Sequence, residues 1–268
     1  SRDSGDTTFK LTANGSTTSL LQTTVSVSSD TKYALVAYST ASEMKSLLIT
    51  ENESEPSSGY TKVRVINTSA EAGAVDLYLT GDSDDIASAT AVASNVSGTG
   101  SYVEVGKGTY RIRVTGYGDK TDLRLDIPSV TFGDKKILNL VLARSKGGVL
   151  VNAILVPQQG IVTAMKNTYA RMRVLADITS SGTVTASAGG VSLGSGLSSP
   201  AIGSYALVPA GTIAVGATVN GSSVSVADQT AEAGADLSLL LMGSASSPTV
   251  KLIRSEEHTS ELQSLAYL

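Results

Sequence analysis

The 268-residue chain has no cysteine, no tryptophan and one histidine, His258. Disulfides, thiol nucleophiles, cysteine-zinc sites and iron-sulfur clusters are thereby excluded. Charge is sparse as well: only 16% of residues are charged, and 20 Lys+Arg against 24 Asp+Glu leave a net charge of -4. Such a balance offers no electrostatic footprint for nucleic acid or an anionic membrane surface. No apolar run approaches the roughly 20 residues that span a bilayer. No signal peptide opens the chain, and Ser1 reads as a processed or truncated start. Strong helix formers are thin, whereas Ser, Thr, Ala and Val abound beside 26 Gly, a mixture that favours strands and tight turns. Apolar residues still make up 41%, enough for a packed core.

Period-2 alternation dominates the chain. Val63 and Val65 alternate with Lys62 and Arg64; Val75, Leu77 and Leu79 with Asp76, Tyr78 and Thr80. Tyr110, Ile112 and Val114 alternate with Arg111, Arg113 and Thr115, and Leu123, Leu125 and Ile127 with Asp122, Arg124 and Asp126. Each reads as a strand with one buried and one wet face, the pattern of an antiparallel sheet. Ile137 to Leu142 and Val149 to Val156 are more continuously apolar and read as central strands. Asn14-Gly15, Gly133-Asp134, Gly147-Gly148 and Asn220-Gly221 mark turns. No amphipathic helix is evident.

A repeat of about 100 residues, the size of an immunoglobulin-like sandwich, underlies this pattern. Gly100-Ser101-Tyr102 followed by Gly108-Thr109-Tyr110 recurs at the same spacing as Gly203-Ser204-Tyr205 followed by Gly211-Thr212-Ile213. Val63-Arg64-Val65 matches Met172-Arg173-Val174. Phe9-Lys10-Leu11 resembles Tyr110-Arg111-Ile112, and Thr31 to Val36 resembles Lys135 to Leu140. The expected fold is therefore all-β: tandem immunoglobulin-like antiparallel β-sandwiches, two complete and one partial. Residues 1–56 form the second half of an incomplete repeat, 57–157 and 158–253 the two complete sandwiches, and 254–268 a tail. The polar stretch Glu51 to Gly59 and the segment Pro157 to Gly160 are the linkers.

These residues resemble a known family. Val63-Arg64-Val65-Ile66-Asn67-Thr68-Ser69, Ala74-Val75-Asp76-Leu77-Tyr78-Leu79 and Gly108-Thr109-Tyr110-Arg111-Ile112-Arg113-Val114 look like the domain of unknown function 4397 family. The resemblance is most specific over residues 61–156, weaker over 170–253, and rests on pattern alone over 9–56. It implies exported bacterial envelope or surface proteins with tandem β-sandwiches, and it supplies no catalytic residues. The tail Arg254-Ser255-Glu256-Glu257-His258-Thr259-Ser260-Glu261 resembles instead a translated sequencing adapter, found at the ends of unrelated metagenomic sequences.

Candidate chemistry is scarce. Gly190-Val191-Ser192-Leu193-Gly194 fits the nucleophile-elbow pattern. That motif needs a strand-turn-helix context and a base, and here it sits in a Gly/Ser-rich hairpin. Asp82, Asp84 and Asp85 form the one acidic cluster, the weak candidate for Ca²⁺, set against a solvated loop. Asp76, Asp122 and Asp126 alternate with core positions and are expected on wet faces rather than as a catalytic pair. The arginines interleaved with them suit cross-strand ion pairs. Tyr33, Tyr38, Tyr78, Tyr102, Tyr110 and Tyr117 could build a sugar-stacking platform or cap the cores. Several Asn-X-Ser/Thr sequons, such as Asn67-Thr68-Ser69, speak only of a wet, hydroxyl-rich surface.

The resulting expectation is a non-enzymatic protein of the cell surface or exterior, without cofactor, a stalk or a subunit of an extracellular assembly. The alternative is a carbohydrate- or cell-wall-binding adhesin module. A half-sandwich exposes open edges, so its partner is expected to be another copy or another envelope protein joined through residues 1–56. The competing account is that the missing strands lie upstream in the same polypeptide.

Overall fold

The computed structural model describes residues 4–40, 43–179 and 182–254. It is all-β, with one 3-10 turn at Ile86–Ser88 as the only helical element among the described residues. Of the adapter-like tail only Arg254 is described; His258 lies outside the described residues.

The N-terminal part contains two hairpins. Strands β1 (Gly5–Thr12) and β2 (Ser19–Val27) pair antiparallel, as do β3 (Tyr33–Ser39) and β4 (Met44–Thr50).

The next part is a sandwich of two sheets. Its strands are β5 (Tyr60–Asn67), β6 (Val75–Thr80), β7 (Ala93–Val96), β8 (Val103–Gly106), β9 (Gly108–Gly116) and β10 (Asp119–Phe132). They continue as β11 (Ile137–Arg144), β12 (Val151–Pro157) and β13 (Thr163–Met165). One sheet has the order β10-β9-β6-β7, the other β13-β12-β11-β5-β8. Between them lie the fully buried Leu77, Ile112, Leu125, Phe132, Leu140 and Leu142. Each such side chain contributes roughly 1.5–3 kcal/mol on removal from water. Leu77, Ile112 and Leu125 are among the alternate residues that periodicity assigned to the core, and Leu140 and Leu142 belong to the continuously apolar run. Strand pairing carries this sandwich past Pro157 as far as Met165, because β13 adds to β12.

The last part repeats the same pairings. Its strands are β14 (Tyr169–Thr179), β15 (Thr183–Ala188), β16 (Val191–Ser198), β17 (Ala201–Ile202), β18 (Ala206–Pro209) and β19 (Gly211–Ile213). After them come β20 (Val215–Val219), β21 (Ser222–Val224), β22 (Gln229–Ala231), β23 (Asp236–Ser244) and β24 (Ser247–Arg254). Strand β14 corresponds to β5, β15 to β6, β20 to β9, β23 to β11 and β24 to β12. Its core gathers Met172, Val174, Leu237, Leu239 and Leu241. The glycine that opens each Gly-Ser-Tyr motif makes the same backbone contact. The N–H of Gly100 donates to Val65 O at 2.9 Å, and that of Gly203 to Val174 O at 2.8 Å. A Cβ on Gly203 would lie 2.9 Å from Leu193 O, so the close crossing admits no side chain.

Pairing is antiparallel except at one place in each sandwich. β5 runs parallel to β11, and β14 parallel to β23. Local alternation cannot reveal this, since the two strands are joined through the whole opposite sheet.

Hairpin register also corrects one alignment made from sequence. Tyr33 faces Thr50 as Leu138 faces Pro157, and Lys32 and Ile137 accept the matching bonds from Glu51 N and Gln158 N. Tyr33 therefore corresponds to Leu138 rather than Ile137. One residue of slip exchanges the faces: Leu35 points inward, and Ala34 and Val36 point outward. Those outward residues, with Leu47 and Ile49, pack on Ile66, Val141, Ile154 and Val156 of the sandwich that follows.

Two polar positions expected on wet faces are buried. Asp76 and Asp126 are only 4% and 2% exposed. Alternation placed them opposite the core, but loops and arginines cover that side. Asp76 Oδ1 accepts from Ser94 Oγ at 2.6 Å and Asn95 N at 2.9 Å, and Oδ2 accepts from Gly118 N at 3.0 Å. Burial alone would raise its pKa, yet these donors hold it below the ordinary carboxylate value. A depressed folded pKa means stabilisation that is present above the unfolded value of about 3.9 and lost as pH falls through the folded value. Asp76→Asn is accordingly expected to cost about 1–3 kcal/mol at neutral pH. Thermal melts should show the gap to the parent protein narrowing below pH 4; a gap constant with pH would remove the charge from the explanation.

Candidate functional site

The N-terminal hairpins, β1–β2 and β3–β4, are each a two-stranded sheet among the described residues. β1 and β2 correspond to β9 and β10, and β3 and β4 to β11 and β12. In the complete sandwich β9 carries β6 on its second edge and β11 carries β5. Among the described residues no strand occupies the second edge of β1 or of β3. The inner faces of the two hairpins consequently flank an open cleft of about 370 Å³, lined by Thr7, Phe9, Val27, Tyr33, Leu35 and Leu48. Phe9 and Leu11 are each 38% exposed, whereas Ile112 and Val114 on β9 are at 0%. Such apolar residues beside free backbone edges are a template for strand addition. At the mouth, Tyr33 accepts a hydrogen bond from Ser28 N at 3.0 Å through its hydroxyl, which lowers that phenol's pKa.

The other sequence candidates do not converge with this cleft. Ser192 lies on β16 in a strand-turn-strand hairpin, without the helix a nucleophile elbow requires. Asp82, Asp84 and Asp85 are exposed. Asp84 accepts from Gly81 N at 2.8 Å, and Asp85 caps the 3-10 turn by accepting from Ala87 N at 2.9 Å. The loop carbonyls of Asp82 and Asp84 receive Arg111 and Arg113 at 2.9 and 2.7 Å. The cluster thus meets guanidinium groups at its carbonyls. Among the described residues no three acidic or histidine side chains are grouped to hold a metal ion.

The tyrosines are dispersed. Tyr78 is buried, and Tyr110 tilts against Phe132 with ring centroids 5.5 Å apart and donates to Gly106 O. Tyr117, 58% exposed, sits in the β9–β10 turn. Tyr102 lies under the Arg64 guanidinium at 4.4 Å, and both donate to Asn139 Oδ1, at 2.9 and 2.6 Å. Burial first of all pushes the Tyr102 pKa up. The second sandwich has the same constellation: Arg173 lies 4.7 Å from the Tyr205 ring and donates to Ser238. The recurrent Arg and Gly-Ser-Tyr motifs could have announced this stack.

A further site missed in the sequence is the junction between the sandwiches. Asn167, 3% exposed, donates to Arg124 O at 2.7 Å and Val151 O at 3.1 Å, and accepts from Tyr169 N at 3.1 Å. Its own N–H donates to Asn152 Oδ1 at 2.9 Å, and the next residue, Thr168, donates to Asp126 O. Asp126 in turn receives Arg111 in a bidentate pair at 2.7 and 2.6 Å, which raises the arginine's pKa. Among the described residues no helix is long and apolar enough to cross a membrane.

No curated protein matches the chain. A crystal structure of a candidate cell adhesion protein from Bacteroides fragilis is similar at 10% identity and a TM-score of 0.22, over 77% of this chain and 87% of that one. The resemblance, read from sequence as most specific over 61–156, is met by a match that lies earlier and ends within that stretch, taking in the two N-terminal hairpins, β5 and most of β6: residues 1–78 match the model of the family described as Domain of unknown function (DUF4397).

Proposed function

We propose that this is a non-enzymatic structural protein of the cell exterior, a stalk or assembly subunit joined to its neighbour by strand complementation at residues 1–56. The observation that carries the reading is the open apolar cleft between the β1–β2 and β3–β4 hairpins, beside two free strand edges. The two complete sandwiches, expected at 57–157 and 158–253, would serve as the spacer. The exported setting is supported by the resemblance to the matched family. The complete sandwich also supplies the polarity of the missing strands. A donor beside β3 would run parallel to it, as β5 does to β11, and one beside β1 antiparallel, as β6 does to β9. The glycan-binding alternative draws less support, because the tyrosines among the described residues form no shared platform.

A synthetic peptide of Tyr60–Asn67, the β5 sequence, tests the cleft directly. It is expected to bind the full chain and to protect residues 4–50 from protease, and Leu35→Asp should abolish both effects while leaving the melt of the two sandwiches in place. Failure of the peptide to bind, with residues 4–50 resistant to protease by themselves, would overturn the reading. Light scattering with negative-stain imaging then assigns the donor: regular polymers of the pure chain mean another copy, and their absence beside peptide binding means either a different envelope protein or strands upstream in the same polypeptide, the latter overturning the assembly reading.

A further inference from the structure

The outer face of β5–β11–β12 is covered within the chain, and what covers it is its own structural counterpart. Val36 corresponds to Val141, Leu47 to Ile154 and Ile49 to Val156, and all six belong to one apolar cluster. Equivalent ends of the two hairpins also lie together. Lys32 Nζ is 2.8 Å from Gln159 Oε1, Glu51 accepts from Gln159 N and Gln158 from Glu53 N, all where β3 and β11 begin. At the far end, Ser39 and Met44 line one cavity with Ala143 and Arg144. β3 and β11 therefore run in the same direction while their faces oppose. Two like faces stacked in that way are related by a pseudo-twofold axis along the strands.

The corresponding face of the second sandwich lacks such a cover among the described residues. Leu175 stands where Ile66 stands in the first, Leu240 where Val141 does, and Ile253 where Val156 does. Val141 and Ile66 are 0% and 2% exposed, whereas Leu175 and Leu240 are half-buried, Ile253 is 37% exposed and Ile202 beside Leu175 is 72% exposed. The face already covered cannot serve it a second time.

We infer that this outer face of β14–β23–β24 pairs with the same face of a second copy of the chain, the internal pseudo-twofold becoming a true one. A self-complementary patch is the requirement of a twofold interface, and the chain already builds one such contact from two of its own like faces. Because Val36 meets the cluster of Val141, Leu240 of one copy is placed against Leu240 of the other.

The absence of cysteine makes the test clean. In the full chain, Leu240→Cys is expected to give a disulfide-linked dimer under mild oxidation, and Ser223→Cys, exposed on the opposite sheet, to give none. Sedimentation of the parent chain should show a concentration-dependent dimer, weakened at least about tenfold by Leu240→Glu, as expected for a central apolar contact. Leu240 points away from the core, and an unchanged melt of that variant would show that the fold is kept. A parent chain that sediments as a monomer up to its solubility limit overturns the inference. So does a dimer dissociated by Leu35→Asp and untouched by Leu240→Glu, because association would then run through the half-sandwich cleft.

Discussion

Asp126→Ala is expected to lower the unfolding free energy by about 3 kcal/mol, the low end of what is found when one partner of a buried ion pair is removed. Asp126 itself is 2% exposed, while Arg111 keeps 27% exposure and can turn partly to water, which limits the loss. The guanidinium would lose both carboxylate bonds and keep its contact with Asp82 O. Urea unfolding measures the effect. The double replacement Asp126→Leu with Arg111→Met should recover much of it, because no charge is then left without a partner. Equal instability of the single and double variants would mean that packing at the site, rather than the ion pair, sets the cost.

Asn167→Ala should be of similar size, about 3 kcal/mol, because it removes a partner from two backbone carbonyls, Arg124 O and Val151 O, and from the N–H groups of Tyr169 and Asp126, at about 1–3 kcal/mol for each one left unsatisfied, partly offset by local relaxation. Its particular signature is the coupling of the two sandwiches. In the parent chain one side chain joins β10, β12 and the start of β14. Without it, limited proteolysis should cut within residues 158–168 and release two folded halves. A variant that loses stability uniformly, with no new cleavage there, would show that Asn167 serves the first sandwich alone. Aspartate at this position would not rescue, since it cannot donate to Arg124 O and Val151 O.

Periodicity disclosed most of the strands because each has one dry face. Val63 and Val65, Leu77, Ile112 and Val114, Leu125 and Ile127 are all core residues, as their alternation indicated. The same rule misleads at Asp76 and Asp126: a polar residue on the second face reads as wet, although its burial depends on loops distant in sequence. The acid-arginine pattern does announce the cross-strand pairing, but not its depth. The sequence alignment of β3 is out by one because its residues are apolar on both faces, Tyr33 to Ala37, so composition there cannot choose a side. That double-sided character is itself the available clue that β3 packs against two different surfaces. The parallel β5–β11 and β14–β23 pairs, the Asn167 junction and the cleft all arise from contacts between segments far apart in sequence. A cleft is moreover a property of what two hairpins fail to cover, and no single residue carries it.

The path of the chain through the first sandwich has a mechanical consequence. The chain enters at Tyr60, at one end of β5, and leaves through β13 and Asn167, which is bonded to Val151 at the opposite end of β12. Tension on the two termini of this unit would pull β5 and β13 in opposite senses along their own axes. The load would fall on the ladders between β5, β11, β12 and β13 as shear, so that many backbone hydrogen bonds must yield together rather than unzip one by one.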